Sequence, residues 1–166
     1  LDGVDRNIDE NTLMICNDNT PVAIAGIMGG LDSEIVDDTT TLTLESATFN
    51  AVSVRKSTVR LAHRTDASIR YEKCLDPEMT TVAIARFVKL LKTYDSDIKV
   101  VSSLTDEYAF HYEKITLEFD KAFVDRYTGI EISKERIVKT LESLGFGVQL
   151  AGDDFTVTVP SWRATK

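Results

Sequence analysis

Residues 13–30 read Leu-Met-Ile-Cys-Asn-Asp-Asn-Thr-Pro-Val-Ala-Ile-Ala-Gly-Ile-Met-Gly-Gly. Two apolar runs, Leu13–Cys16 and Pro21–Met28, flank Asn17-Asp18-Asn19-Thr20. Asn and Asp tolerate turn geometry and bond their own backbone, so the stretch predicts a β-hairpin. Gly29-Gly30 is expected to break the second strand. Downstream, Thr41–Ala47 alternates: Leu42, Leu44 and Ser46 share one face, and Thr41, Thr43, Glu45 and Ala47 the other. A period of two predicts a further strand, with Glu45 projecting from its polar face. Both a site residue and a solvent-facing glutamate fit that position.

Helical signals follow. Asn50 suits an N-cap for a helix from Ala51 to about Leu61, and Ala67–Cys74 suits a short second one. Pro77 fits the first turn of a third helix, running to about Tyr94. Its apolar stripe is Met79, Ala83, Phe87, Leu90, Leu91 and Tyr94, and Ile98–Val101 predicts one more strand. Strands interleaved with helices make this part α/β, a mixed sheet with helices. Past about residue 110 the pattern resets. Ile115, Leu117 and Phe119 alternate, Ser133 caps a helix carrying Ile137, Val138, Leu141 and Leu144, and Gly145 closes it. Phe155, Val157 and Val159 then alternate up to Pro160. The expected division is a domain over 1–110 and a small α+β domain, winged-helix-like, over 111–166.

The chain has 166 residues, 43% hydrophobic and 28% charged, with 19 Lys and Arg against 27 Asp and Glu, a net charge of -8. These values are those of an ordinary folded protein and exclude a disordered tail, a collagen-like chain and a disulfide-knitted scaffold. Val22–Met28 is far short of the ~20 apolar residues that cross a bilayer, and no signal peptide opens the chain. Two lone thiols, Cys16 and Cys74, fit a reducing compartment, so a cytoplasmic location is expected. A start at Leu1 and a stop at Lys166 suggest a piece of a longer polypeptide.

Charge is uneven. Arg55, Lys56, Arg60, Arg64, Arg70 and Lys73 face only Asp66 and Glu72 within residues 55–73, a basic segment on an acidic body. Such a segment can contact a phosphate backbone, and it can equally be a solvated helix face with ordinary ion pairs. His63 and His111 are isolated, so no zinc set forms and no metal ligand is assigned. There is no phosphate loop and no G-x-S-x-G. Gly26–Gly30 lacks a following Lys. The residues offer no self-contained nucleophile and base.

Three strings in order, Pro21-Val22-Ala23-Ile24-Ala25-Gly26-Ile27-Met28-Gly29-Gly30, Leu44-Glu45-Ser46-Ala47-Thr48-Phe49 and Arg64-Thr65-Asp66-Ala67-Ser68-Ile69-Arg70-Tyr71-Glu72-Lys73, resemble the editing module of bacterial phenylalanyl-tRNA synthetase β subunits. Leu141-Glu142-Ser143-Leu144-Gly145-Phe146 and Val157-Thr158-Val159-Pro160-Ser161-Trp162-Arg163 resemble the small domain that follows it. The resemblance implies a subunit of the ligase that attaches phenylalanine to tRNA(Phe) using ATP and magnesium. Its implied partners are a catalytic α subunit, in a heterotetramer of two α and two β, and the tRNA. The module itself hydrolyses tyrosine wrongly attached to that tRNA. A pocket fitted to Phe rejects an added hydroxyl only about 100-fold, so a second site is needed.

By the same resemblance Glu45 receives the tyrosine hydroxyl, Gly29 leaves space in the pocket wall, and Thr65 and Ala67 line the pocket, Thr65 orienting the water at the ester. Arg55, Lys56, Arg60 and Arg64 are the candidate tRNA contacts. Each also has a plain structural reading: Gly29 as a turn residue, Thr65 as a helix cap, Ala67 as helix filler. The family's editing histidine precedes Leu1, its magnesium carboxylates follow Lys166, and its ATP site belongs to the other subunit, so no cofactor is expected in this part. Leu75 and Thr48 depart from the family pattern. The alternatives are a non-catalytic RNA-binding or interaction module on the same fold and a free-standing aminoacyl-tRNA deacylase.

Overall fold

In the computed structural model, which describes residues 1–109 and 111–163, β1 (Met14–Asn17) and β2 (Thr20–Ile24) pair antiparallel around Asp18-Asn19. Asp18 takes a φ of 51°, a left-handed conformation that a short polar side chain tolerates. The run from Pro21 to Met28 is not one strand. It reverses at Gly26, where φ is +69°, and returns as β3 (Met28–Gly29) against β2. The Ile27 amide closes the turn on Ile24 O at 3.0 Å. Ala25 and Ile27 are 2% and 3% exposed, so burial on both sides of a glycine fixes the reversal. Gly29 pairs with Ala23 and is the last residue of β3.

Three helices follow. α1 (Ala51–Arg60) begins at Asn50, whose side chain accepts from the Ser53 amide, as expected of its N-cap. α2 is Asp66–Tyr71 and α3 is Thr80–Tyr94, the latter entered through a 3₁₀ turn at Pro77–Met79. Two expected strands do not form. Thr41–Ala47 and Ile98–Val101 have no strand assignment. Alternation marks a two-faced segment, but a strand also needs a neighbouring ladder, and neither segment pairs with a described strand. The α3 stripe is corrected as well. Thr80, Ile84, Val88 and Leu91 are the half-buried positions, whereas Met79, Phe87, Leu90 and Tyr94 are exposed.

The chain divides into two compact units, Leu1–Lys99 and Val100–Lys166. Residue 110, at the division expected from sequence, lies outside the described residues. In the second unit β4 (Thr116–Asp120), β5 (Gly147–Ala151) and β6 (Asp154–Thr158) form an antiparallel sheet in the order β4-β6-β5. Between β4 and β5 lie α4 (Lys121–Thr128), which periodicity missed, and α5 (Lys134–Ser143), capped by Ser133 as expected. Central β6 turns Phe155 and Val157 inward, each 1% exposed, against Ile137 of α5. Gly145 ends α5 at φ +87°. Its amide reaches Glu142 O at 2.9 Å and the Phe146 amide reaches Leu141 O at 3.1 Å, the paired bonds of a Schellman close.

Candidate functional site

The β2–β3 turn is where the first unit gathers its candidate residues. Thr65 caps α2. Its Oγ1 accepts from the Ser68 amide at 3.1 Å and donates to Ile27 O, in that turn, at 2.7 Å. The Thr65 amide donates to Ser68 Oγ at 2.9 Å, so hydroxyl and amide groups satisfy one another reciprocally. Ser68 is fully buried beneath the cap. Ala67 is half-buried in the first turn of the same helix.

The other end of α2 packs on the same turn. A Cβ added to Gly26 would lie 3.1 Å from Phe49 Cδ2 and 3.2 Å from Tyr71 Cγ. The Phe49 and Tyr71 rings are themselves 5.1 Å apart, tilted by 44°. Glu45 stands nearby. It is exposed as a residue, yet the structure around its carboxyl excludes enough water to raise it above the ordinary glutamate value. The Tyr71 phenol is raised too, first by burial and then by the Glu45 carboxylate. The segment that carries Glu45 has no ladder. It is held by Ser46 Oγ, which donates to Thr80 O at 2.9 Å, and by the Phe49–Tyr71 contact.

Gly29 sits apart from this group. It lines a hollow of about 300 Å³ whose wall includes Leu1, Arg6 and Met14 but none of Glu45, Thr65 and Ala67. A Cβ at Gly29 would meet only the Leu1 side chain, at 3.1 Å. The four candidate cations separate as well. Arg60 is committed inside the unit, to Asp9 Oδ1 at 2.9 Å and Thr12 Oγ1 at 2.7 Å. Lys56 is exposed on α1. Arg55 and Arg64 line one cleft together.

Sequence reasoning missed Gly26, Phe49, Tyr71 and Ser46. A glycine inside an apolar run was the available signal for Gly26, and Ser68 three residues after Thr65 was the signal for the capping box. Among the described residues no group of three or more His, Cys, Asp or Glu gathers as a metal site. Nor is any helix among the described residues long and apolar enough to cross a membrane.

Comparison with known proteins bears out the resemblance. A family model described as the B3/4 domain matches residues 1–96, and one described as the tRNA synthetase B5 domain matches residues 117–165. The phenylalanine–tRNA ligase β subunit of Clostridium acetobutylicum is 38% identical over 163 residues, covering 98% of this chain and 20% of its own length. That of Solibacter usitatus is 39% identical over 167 residues, covering 100% and 22%. That of Clostridium tetani is 36% identical over 164 residues, covering 99% and 21%. The chain thus spans about a fifth of the curated relatives it matches. The chain thus belongs to the B3/4 domain family, runs on into a tRNA synthetase B5 domain, and is similar over its whole length to phenylalanine–tRNA ligase β subunits.

Proposed function

We propose that this chain supplies part of an editing site that hydrolyses tyrosine mis-attached to tRNA(Phe), within a β subunit of the ligase. The observation that carries the reading is the Glu45 carboxyl, raised by its surroundings and close enough to Tyr71 to raise the phenol. A partly desolvated carboxylate is a strong acceptor for a phenolic hydroxyl, because hydrogen bonds to ionised groups are roughly twice as strong as neutral ones. Phenylalanine offers no hydroxyl, so Glu45 would lose water without return, and selectivity takes the required sign.

Ala67 contributes space in this reading, whereas Gly29 lines a separate hollow. After its two hydrogen bonds Thr65 Oγ1 keeps one lone pair, enough to accept from a water near the ester carbonyl. Hydrolysis then needs no protein nucleophile, only a held water. Misplacement by about 1 Å costs on the order of 100-fold, and Thr65 ties α2 to the β2–β3 turn through its bond to Ile27 O. Ligation with ATP and magnesium is assigned to other parts of a cytoplasmic enzyme of two α and two β subunits. The second unit, read as winged-helix-like, carries eight Lys and Arg against nine Asp and Glu from residue 112 on, a balance that suits a spacer better than a nucleic-acid clamp.

The test is Glu45→Ala in the whole enzyme. Tyrosyl-tRNA(Phe) is expected to accumulate while phenylalanylation stays near wild type. Deacylation of pre-formed tyrosyl-tRNA(Phe) at the wild-type rate refutes the assignment.

A further inference from the structure

We propose that the cleft between the end of α1 and the end of α2 seats one phosphate group of an RNA backbone. This rests on the reading of the module as tRNA-binding. The cleft has a volume of about 490 Å³. Arg55 and Thr58 face it from α1, His63 from the turn after α1, and Arg64, Glu72 and Lys73 from the two ends of the α2 segment.

Three cations therefore meet one carboxylate. Glu72, whose side chain is only 9% exposed, takes Arg64 Nη2 at 2.6 Å and Lys73 Nζ at 3.7 Å. The rest of those two side chains stays in solvent, 61% and 69% exposed. A nearly buried carboxylate shared by two cations orients both and neutralises one. Arg55 is exposed and has no carboxylate partner among the described residues. The wall keeps a net positive charge in a body that is otherwise acidic. Arg60 and Arg6, by contrast, are used up internally by Asp9 and Asp2.

A phosphate brings several acceptor oxygens to a wall that presents three cationic side chains and one carboxylate.

The experiment measures anisotropy of a labelled acceptor-stem RNA with this chain across a salt series. Arg55→Gln and Lys73→Gln are each expected to weaken binding on the order of fivefold at low salt and to reduce the salt slope by about one. Because both serve one phosphate, the double variant loses less than the product of the singles. Inorganic phosphate at fixed ionic strength brings wild-type affinity down to that of the double variant and leaves the double variant unmoved. Lys92→Gln removes the same charge from α3 and leaves affinity unchanged. Equal loss in Lys92→Gln, or full additivity, shows diffuse attraction and overturns the seat. Unchanged affinity in both single variants hands the cleft to an acidic protein segment and also overturns it. The Glu45→Ala deacylation assay reads a different group, so failure of the seat and failure of the editing assignment are told apart.

Discussion

Replacing Thr65 by Val keeps the shape of the side chain and removes one oxygen that makes two hydrogen bonds. One is the cap on the Ser68 amide, and the other is the donation to Ile27 O. Losing an N-cap costs about 1 kcal/mol. The Ile27 residue is 3% exposed, so its carbonyl finds little water when the donor goes, and an orphaned buried acceptor costs about 1–3 kcal/mol. Together the loss is about 2–4 kcal/mol, a large share of the 5–15 kcal/mol typical of a domain. For about a hundred residues that corresponds to a fall in Tm of about 10–20 °C. Thermal unfolding of the chain, followed by circular dichroism and calorimetry, should show the first unit's transition move by that amount in Thr65→Val. Thr65→Ser retains the oxygen and should melt within about 3 °C of wild type. A Thr65→Val protein that melts with wild type would refute the reasoning, because it would mean that neither bond stabilises the turn. Thr65 would then act only at the ester.

Other outcomes follow from the same geometry. Gly29→Ala should be tolerated, with a Tm near that of wild type, since its Cβ meets only the movable Leu1 side chain. Gly129→Ala and Gly145→Ala both force a side chain into left-handed backbone, at about 1–2 kcal/mol each. Nothing lies within 4 Å of a Cβ at Gly129, while at Gly145 the Trp162 ring is 2.7 Å away, so calorimetry should find Gly145→Ala clearly the less stable. In the second unit, Lys121 Nζ and then the Ile132 amide hold the Asp125 carboxyl below its ordinary value. A depressed carboxylate contributes stability above its unfolded pKa of about 3.9 and loses it as pH falls through the folded value. The Tm of this unit should therefore drop below about pH 4, and Asp125→Asn should flatten that drop.

Where one residue decides local structure, the sequence sufficed. Asn50 and Ser133 cap the helices they were expected to cap, and Gly145 closes α5, because each acts through its own side chain or its own φ. The β1–β2 hairpin was legible for the same reason, with Asn and Asp supplying the turn. Gly26 was misread because two signals collided. An unbroken apolar run reads as one strand, and only the burial of Ala25 and Ile27 on both sides shows that the chain doubles back there. The helix α4 escaped notice because Lys121–Thr128 is short and its cap, Asp120, ends the preceding strand.

Periodicity identifies an apolar face without identifying what lies against it. On α3, exposed Met79, Phe87, Leu90 and Tyr94 lie beside half-buried Ile84, Val88 and Leu91, so the apolar face, opposite Arg86, Lys89 and Lys92, is wider than the strip that is covered. A pattern of that kind cannot select one contact face from sequence alone. Thr41–Ala47 poses the same problem in the period of two, and there the answer bears on function. Glu45 was placed on a polar strand face, where a carboxylate meets bulk water and keeps its ordinary affinity for protons. Without a ladder, the segment is instead tied down by the Ser46 hydroxyl on Thr80 O and by Phe49 on Tyr71. Those two ties bring residue 45 close enough to α2 for its carboxyl to lose water and for Tyr71 to feel its charge. The property that would let Glu45 distinguish a phenol from a bare ring thus comes from tertiary contacts made at residues 46 and 49, and no strand pattern contains it.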